Sequence, residues 1–176
     1  MATNLRFLNK TLVSEGVTTV NVDNIFTSEY DVYFCQVIGL YHNVDVNNGT
    51  EGIRFIDVGG SVISGSEYAY ALLQCKDHNT FAETRNNSDT RIFIGQIGDQ
   101  LSDGQSSVNF YIYNPANTNS YTYTHCQSSG INSSGGSSYK GIGVHKSQEI
   151  IRGFQLYESN SAREFGGGVI NVYGVK

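Results

Sequence analysis

Cysteine and histidine are the residues of this sequence best suited to nucleophilic or metal chemistry, and their spacing decides whether they could act together. Cys35, Cys75 and Cys126 lie about 40 to 50 positions apart, and His125 directly precedes Cys126. Zinc ligands usually recur within a few residues of one another, whereas neighbours in a strand point to opposite faces. The pattern therefore predicts free, buried thiols and a surface imidazole at His125, with no zinc site.

The acidic residues give only weak signals for calcium binding or for glycoside cleavage. The oxygen-rich stretches 45–51 and 99–104 both lack the ligand spacing of a calcium loop, so we expect ordinary solvated loops there. Glycoside cleavage needs two facing carboxylates. Nothing in the sequence pairs the candidates, which are Asp57, Glu67 and Glu83. No G-x-S-x-G nucleophile motif occurs either, so the sequence predicts no catalytic residues and no cofactor.

Tyrosine is the residue type whose abundance points to binding. The chain has 12 tyrosines and no tryptophan. Tyrosine combines a large contact area with a polar hydroxyl group, which suits a partly wet protein interface. Tyrosine also stacks on sugar rings, although the absence of tryptophan weakens that interpretation. The alternative is that the tyrosines line an ordinary sheet face.

The stretch 105–126 predicts a β-hairpin that presents four of these tyrosines. Val108, Phe110 and Ile112 recur at every second position, as in a strand with one face in the core. The segment 114–119 supplies turn residues, including the single proline, and alternation resumes after it. The tyrosines that we expect in a contact patch on this hairpin are Tyr111, Tyr113, Tyr121 and Tyr123.

The whole chain predicts a single all-β domain covering residues 1–176. About ten short strands recur without a βαβ rhythm, which is typical of an antiparallel β-sandwich and favours a jelly roll. The strongest strand, 31–40, is apolar on both faces, and Phe34 and Leu40 are expected to share the face opposite Cys35. The polar stretches expected to be loops are 43–52, 77–90 and 128–138.

Charge and hydropathy argue against two classes of partner. The net charge is −5, and no two lysines or arginines are adjacent, so the basic surface of a nucleic-acid-binding protein is not expected. No apolar stretch has membrane-spanning length, and the first twenty residues contain no apolar leader. We therefore expect a protein that folds in a cytoplasm and binds neither nucleic acid nor a membrane.

An ordered set of stretches extends through the chain, including LRFLNKTLV, GIRFIDVGGSVISGSEYAYALL, NFYIYNPANTNSYTYTHCQSSG and GGGVINVYGVK. This set resembles a family of small virion structural proteins of tailed bacteriophages, of the marine cyanophage type. The resemblance covers essentially the whole chain. It implies a non-enzymatic particle component with a β-sandwich fold, made in the host cytoplasm and located in the virion.

The resemblance is compatible with two locations of the protein on the particle. The first is a capsid decoration or cement protein that bridges neighbouring subunits, with the major capsid protein as its partner. The second is a tail, baseplate or fibre component that binds a host receptor or glycan. A free carbohydrate-binding module or hydrolase is a third, weaker alternative, because no secretion signal is present. Analogy with phage sandwich modules predicts a homotrimer, and Leu5 and Phe7 join the four tyrosines as candidate contact residues.

Overall fold

The computed structural model describes residues 4–44, 50–77, 81–95, 105–132 and 135–176, which contain twelve β-strands and no helix. The strands are β1 (Leu5–Val13), β2 (Thr19–Val22), β3 (Val32–His42), β4 (Glu51–Asp57), β5 (Tyr68–Lys76), β6 (Ala82–Asp89), β7 (Ile92–Phe93), β8 (Ser106–Tyr113), β9 (Thr122–Asn132), β10 (Gly135–His145), β11 (Ile151–Glu158) and β12 (Phe165–Val175). All their pairings are antiparallel, which confirms the predicted fold class. None of the described residues forms a helix that could span a membrane.

Eight of the strands form a jelly roll of two facing sheets. The first sheet contains β1-β12-β3-β8 in that order, and the second contains β2-β11-β4-β7. The chain changes sheet at each step between these strands except the step from β4 to β7, which are neighbours in the second sheet. This winding is that of two Greek keys, so the jelly-roll prediction is confirmed.

Two hairpins, β5–β6 and β9–β10, widen the first sheet to eight strands in the order β1-β12-β3-β8-β9-β10-β5-β6. They contain most of the stretches 77–90 and 128–138 that were expected to be loops, so that expectation is wrong. Serine, glycine and asparagine give these strands no apolar alternation. Their extended conformation therefore depends on pairing with neighbouring strands rather than on local pattern. Of the third expected loop, residues 45–49 lie outside the described residues.

A bulge at Gly39 changes which side chains of β3 point inward. Gly39 has a φ of 64°, and pairing with β8 is interrupted between Val37 and Leu40. Leu40 is therefore fully buried together with Cys35, and does not share a face with Phe34 as expected. One extra residue in a strand reverses the order of faces beyond it, which strict alternation cannot anticipate.

Aromatic side chains fill the space between the two sheets. Phe110 of β8 lies edge-on to Phe154 of β11, with 5.4 Å between ring centroids, and Phe154 stacks on Phe26 at 6.2 Å. Tyr33 packs on Phe26 at 4.6 Å. Its hydroxyl group donates to the carbonyl of Thr27 and accepts from the amide of the same residue, so its burial leaves no polar atom unpaired. The expected core face of β8 is confirmed, since all its members are fully buried: Val108, Phe110 and Ile112.

Truncation of Phe110 should distinguish this buried face from the outer face of the same strand. We expect Phe110→Ala to lower the free energy of unfolding by about 3–5 kcal/mol, because it leaves a cavity against Phe154. Asn109→Ala, on the exposed side of β8, should change it by about 0.5 kcal/mol or less. Urea unfolding followed by far-ultraviolet circular dichroism measures both values. Equal losses for the two variants would contradict the assignment of faces.

Candidate interaction surface

The outer face of the eight-stranded sheet carries side chains in rows that run across the strands. Residues directly opposite each other in antiparallel strands project to the same face, so the register alone defines these rows. The Phe7 row contains one residue from every strand, in sheet order: Phe7, Tyr173, Phe34, Tyr111, His125, Ile142, Ala71 and Arg85. The Leu5 row is offset from the Phe7 row by two residues along each strand and extends from β1 to β5. Its members are Leu5, Val175, Val32, Tyr113, Tyr123, Val144 and Ala69. The two rows together are called the aromatic face.

The rings of the aromatic face form a continuous series of contacts. Phe7 lies 5.6 Å from Tyr173, and Tyr173 lies 6.0 Å from Phe34, between ring centroids. Phe34 lies 4.9 Å from Tyr111, which stacks on Tyr113 at 6.2 Å. These are the separations at which aromatic pairs attract each other. Each of these rings therefore packs against at least one other ring of the face.

Much of the aromatic face is open to solvent. Phe7 is 55% exposed, Ile142 is 62% exposed and Tyr123 is 44% exposed. Arg85, at the edge of the sheet, is the only residue of the two rows with a full charge at neutral pH. Single exposed apolar residues are common on proteins, whereas contiguous exposed apolar patches are less common, which makes this face the candidate interaction surface.

The next row of the same face differs sharply in chemistry. This Lys10 row contains Lys10, Asn171, Gln36, Asn109, Gln127, Lys140, Leu73 and Glu83. Within it, the side-chain amide of Gln36 donates to Oδ1 of Asn109 at 3.3 Å. The aromatic face is therefore bordered by a polar row, beyond which Leu12 and Ile38 are again exposed on the same sheet.

A groove of about 840 Å³ lies on the aromatic face, where the inserted hairpins meet β8. Tyr113 and Tyr123 line it from β8 and β9, while Arg85 and Asn87 line it from β6. Between them lie small or aliphatic residues, including Ala71. Four strand spacings separate β8 from β6, roughly 19 Å, which is wide enough for an extended ligand. The groove thus offers aromatic rings on one side and hydrogen-bond donors on the other.

Five of the six predicted contact residues lie together on the aromatic face: Leu5, Phe7, Tyr111, Tyr113 and Tyr123. Tyr121 precedes β9, is 40% exposed and belongs to neither row. The sequence did not single out other members of the face, among them Phe34, Tyr173 and Ile142. Their alternation is visible in the sequence, but nothing in it shows that their strands become neighbours.

The predicted candidate acids do not come together. Asp57 lies in β4 of the four-stranded sheet. Glu83 lies in β6 of the other sheet, where it pairs with Nε of Arg85 at 2.9 Å. Glu67 precedes β5 and lies 3.2 Å from Nε2 of His145. These three residues therefore supply no pair of facing carboxylates.

Sequence spacing gives no sign of a buried cluster formed by one histidine and two glutamates. Nε2 of His42 lies 3.1 Å from Oε1 of Glu51 and 3.4 Å from Oε2 of Glu158. Burial acts to raise the pKa of Glu158, but contacts with His42, Thr50 and the amide of Asn160 outweigh burial and lower this pKa to about 2.

The two oxygen-rich stretches that were expected to be ordinary solvated loops fall mostly outside the described residues. Residues 45–49 of the first stretch and all of 99–104 lie outside them.

All three thiols are free, as expected, and two of them are buried. Burial raises the pKa of Cys126 to about 11 and raises the pKa of Cys35 well above its usual value. Cys75 is only half-buried. His125 lies on the outer face and its neighbour Cys126 on the inner face, which confirms that the two side chains diverge.

Comparisons with known proteins add no family assignment. No protein-family model and no curated protein matches the chain. Among solved structures, the chain is similar at 7% identity to a fructofuranosidase from Schwanniomyces occidentalis, covering 99% of this chain and 35% of that one, with a TM-score of 0.22. It is similar at 9% identity to the VP2 subviral particle of infectious bursal disease virus, covering 98% of this chain and 40% of that one, with a TM-score of 0.17. The chain thus spans well under half of these structures, and such low scores support no inference about fold or function.

The burial of the cysteines predicts their order of reaction with a thiol reagent under native conditions. Cys75 should be labelled first, and Cys35 and Cys126 only after unfolding, because a buried thiol is neither accessible nor ionised. Mass spectrometry of the labelled peptides measures this order, with Cys75→Ser as the control that should remain unlabelled. Rapid labelling of Cys35 in the folded protein would contradict the packing of β3.

Proposed function

We propose that this protein is a non-enzymatic structural component of a tailed-bacteriophage particle, a decoration protein that bridges neighbouring capsid subunits. The aromatic face is the observation that carries the proposal, because an ordered, nearly uncharged surface of this extent suits a permanent protein contact. The resemblance in sequence supplies the class of particle. The jelly roll itself is found with many functions, so it lends little additional support.

A decoration protein with this surface would act by many modest contacts repeated by the symmetry of the particle. An aromatic pair contributes about 0.5–1.5 kcal/mol beyond the area that it buries. Because the rings already contact one another, little side-chain freedom is lost on binding. Few charges must be desolvated, so binding would depend weakly on salt. Repetition over a lattice then converts weak single contacts into stable attachment.

The groove favours a second function, binding of a host glycan or receptor by a tail, baseplate or fibre component. Tyr113 and Tyr123 could stack on sugar rings, and Arg85 and Asn87 could donate hydrogen bonds to hydroxyl groups. The two functions require different copy numbers, since a capsid has many equivalent positions and a tail tip has few.

Quantitative mass spectrometry of purified particles of the phage that encodes this chain tests the proposal. We expect a copy number near a simple multiple of the capsid lattice, because decoration follows the symmetry of the shell. Immunogold labelling should place the protein on the head. A handful of copies located at the tail would instead support the glycan-binding function, and absence from the particle would contradict both.

The proposal includes assembly of the protein as a homotrimer, in which the aromatic face joins the three chains to one another and the trimer as a unit bridges the capsid subunits. A contact around a threefold axis joins two different patches of the same chain. The aromatic face offers two such patches, one at the edge strand β1 with Leu5 and Phe7, and one at the centre with Tyr111, Tyr113 and Tyr123. Apolar burial between them would favour association without any change of fold.

Light scattering coupled to size-exclusion chromatography tests the trimer. We expect three chain masses for the unaltered protein at micromolar concentration. Tyr111→Glu should yield a monomer, because it places a charge in the centre of the apolar contact. Gln127→Glu, an equal change of charge in the polar Lys10 row, should remain trimeric. A monomeric unaltered protein, or a trimeric Tyr111→Glu variant, would contradict this assembly.

A further inference from the structure

The buried cluster of His42, Glu51 and Glu158 lies where both sheets of the jelly roll end. His42 is the last residue of β3 in the eight-stranded sheet. Glu51 begins β4, Glu158 ends β11, and the two are direct partners in the register of the four-stranded sheet. All three are at most 1% exposed. Two carboxyl groups from one sheet thus meet an imidazole group from the other in a site closed to solvent.

The imidazole of His42 lacks hydrogen-bond partners in this closed site. Neither Nδ1 nor Nε2 forms a hydrogen bond of acceptable geometry with any described residue. Nε2 nevertheless points between the two carboxylates, at 3.1 Å and 3.4 Å from their nearer oxygens. The ring is held in this direction by stacking on Phe165, with 5.8 Å between centroids and 24° between planes. Buried polar atoms without partners are rare, and one aimed at two carboxylates indicates a missing ligand.

The spacing of the three donor atoms matches a small metal ion. Zinc binds histidine nitrogen and carboxylate oxygen at about 2.0–2.2 Å, so two ligands of a tetrahedral site lie roughly 3.3–3.6 Å apart. The observed separations of 3.1 Å and 3.4 Å are close to this range. All three potential ligand atoms lie within 4.8 Å of one another. The two nitrogen–oxygen separations would therefore change by only a few tenths of an ångström when a cation enters.

Residues around the cluster orient its ligands. Thr50 Oγ1 donates to Oε1 of Glu158 and accepts from the hydroxyl group of Ser159 at 2.7 Å. The amide of Asn160 donates to the same Oε1 at 2.7 Å. Oε2 of Glu158 faces His42 at 3.4 Å and also accepts from the amide of Thr50 at 3.2 Å, so both carboxylate oxygens are held in place. Outer hydrogen bonds of this kind are what fix the ligands of metal centres.

We propose that His42, Glu51 and Glu158 form a structural binding site for a divalent transition-metal cation of the zinc class, which links β3 to β4 and β11. Two carboxylates balance the two charges of the cation when the imidazole is neutral, so the loaded site carries no net charge in a closed environment. A nitrogen and two oxygens supply three of the four ligands of a tetrahedral zinc ion, and an enclosed water molecule would supply the fourth. The site stabilises the end of the sandwich and has no part in the aromatic face.

A second cluster provides the matched control. Nε2 of His145 lies 3.2 Å from Glu67 and 3.7 Å from Glu149, but the side chains of these glutamates are 49% and 35% exposed. Water competes for carboxylates that are exposed to this degree. His145→Gln therefore removes a buried histidine of similar setting without touching the proposed site.

Calorimetric titration of the chelator-treated full-length protein with Zn²⁺ tests the proposal. We expect one tight equivalent, and a rise in the unfolding temperature of about 5–10 °C when free Zn²⁺ is roughly 100 times its dissociation constant. His42→Gln and Glu158→Gln should abolish this binding, and His145→Gln should retain it. Saturation by Co²⁺ should give the intense visible absorption of a tetrahedral ion.

Nuclear magnetic resonance of the unaltered protein covers the case in which the variants do not fold. Zn²⁺ should change the ring resonances of a single histidine, identified as His42 by its contact with Phe165. No saturable binding by the chelator-treated protein would overturn the proposal. Binding that persists in folded His42→Gln, or changes confined to another histidine, would overturn it equally.

Discussion

The eight-stranded sheet depends on a register that aligns all its strands, and this register decides both of its faces at once. Side chains alternate along each strand, so choosing Phe110 for the core places Tyr111 outside. The close contact between Phe110 and Phe154 joins the two sheets and so fixes that choice. A slip of one residue in β8 would exchange the two faces of that strand, which would put a tyrosine hydroxyl in the core and interrupt the outer rows.

The inserted hairpins turn an ordinary jelly-roll sheet into a broad surface. Without β9 and β10, the first sheet would end at β8, and Tyr111 and Tyr113 would lie at an edge. The hairpins extend the rows to Tyr123 and Ile142 and create the groove. The sheet then ends in β6, a strand whose residues are almost all polar, and polar edge strands discourage pairing with other chains. The insertions thus enlarge the aromatic face without exposing an apolar edge.

Charge and apolar surface are distributed in an unusual way, since uncharged rings face solvent while a histidine and two glutamates are buried. Burying ionisable groups is unfavourable unless they pair with one another or bind an ion. The cluster at His42 joins strands from both sheets at one end of the sandwich, whereas the aromatic face involves only the outer side of one sheet. The two features therefore involve separate parts of the fold, and the proposals made for them are independent of each other.

Local pattern in the sequence was enough for the all-β class, the jelly roll and the core face of β8, because alternation such as Val108-Phe110-Ile112 is an intrinsic property of a half-buried strand. It also selected Phe7, Tyr111 and Tyr123 as contact residues. Only the tertiary structure decided that Phe7, Tyr173 and Phe34 become neighbours and that His42 meets Glu158, since both depend on pairings between distant segments. Periodicity reports which way a side chain points, but the register between strands determines which side chains it meets.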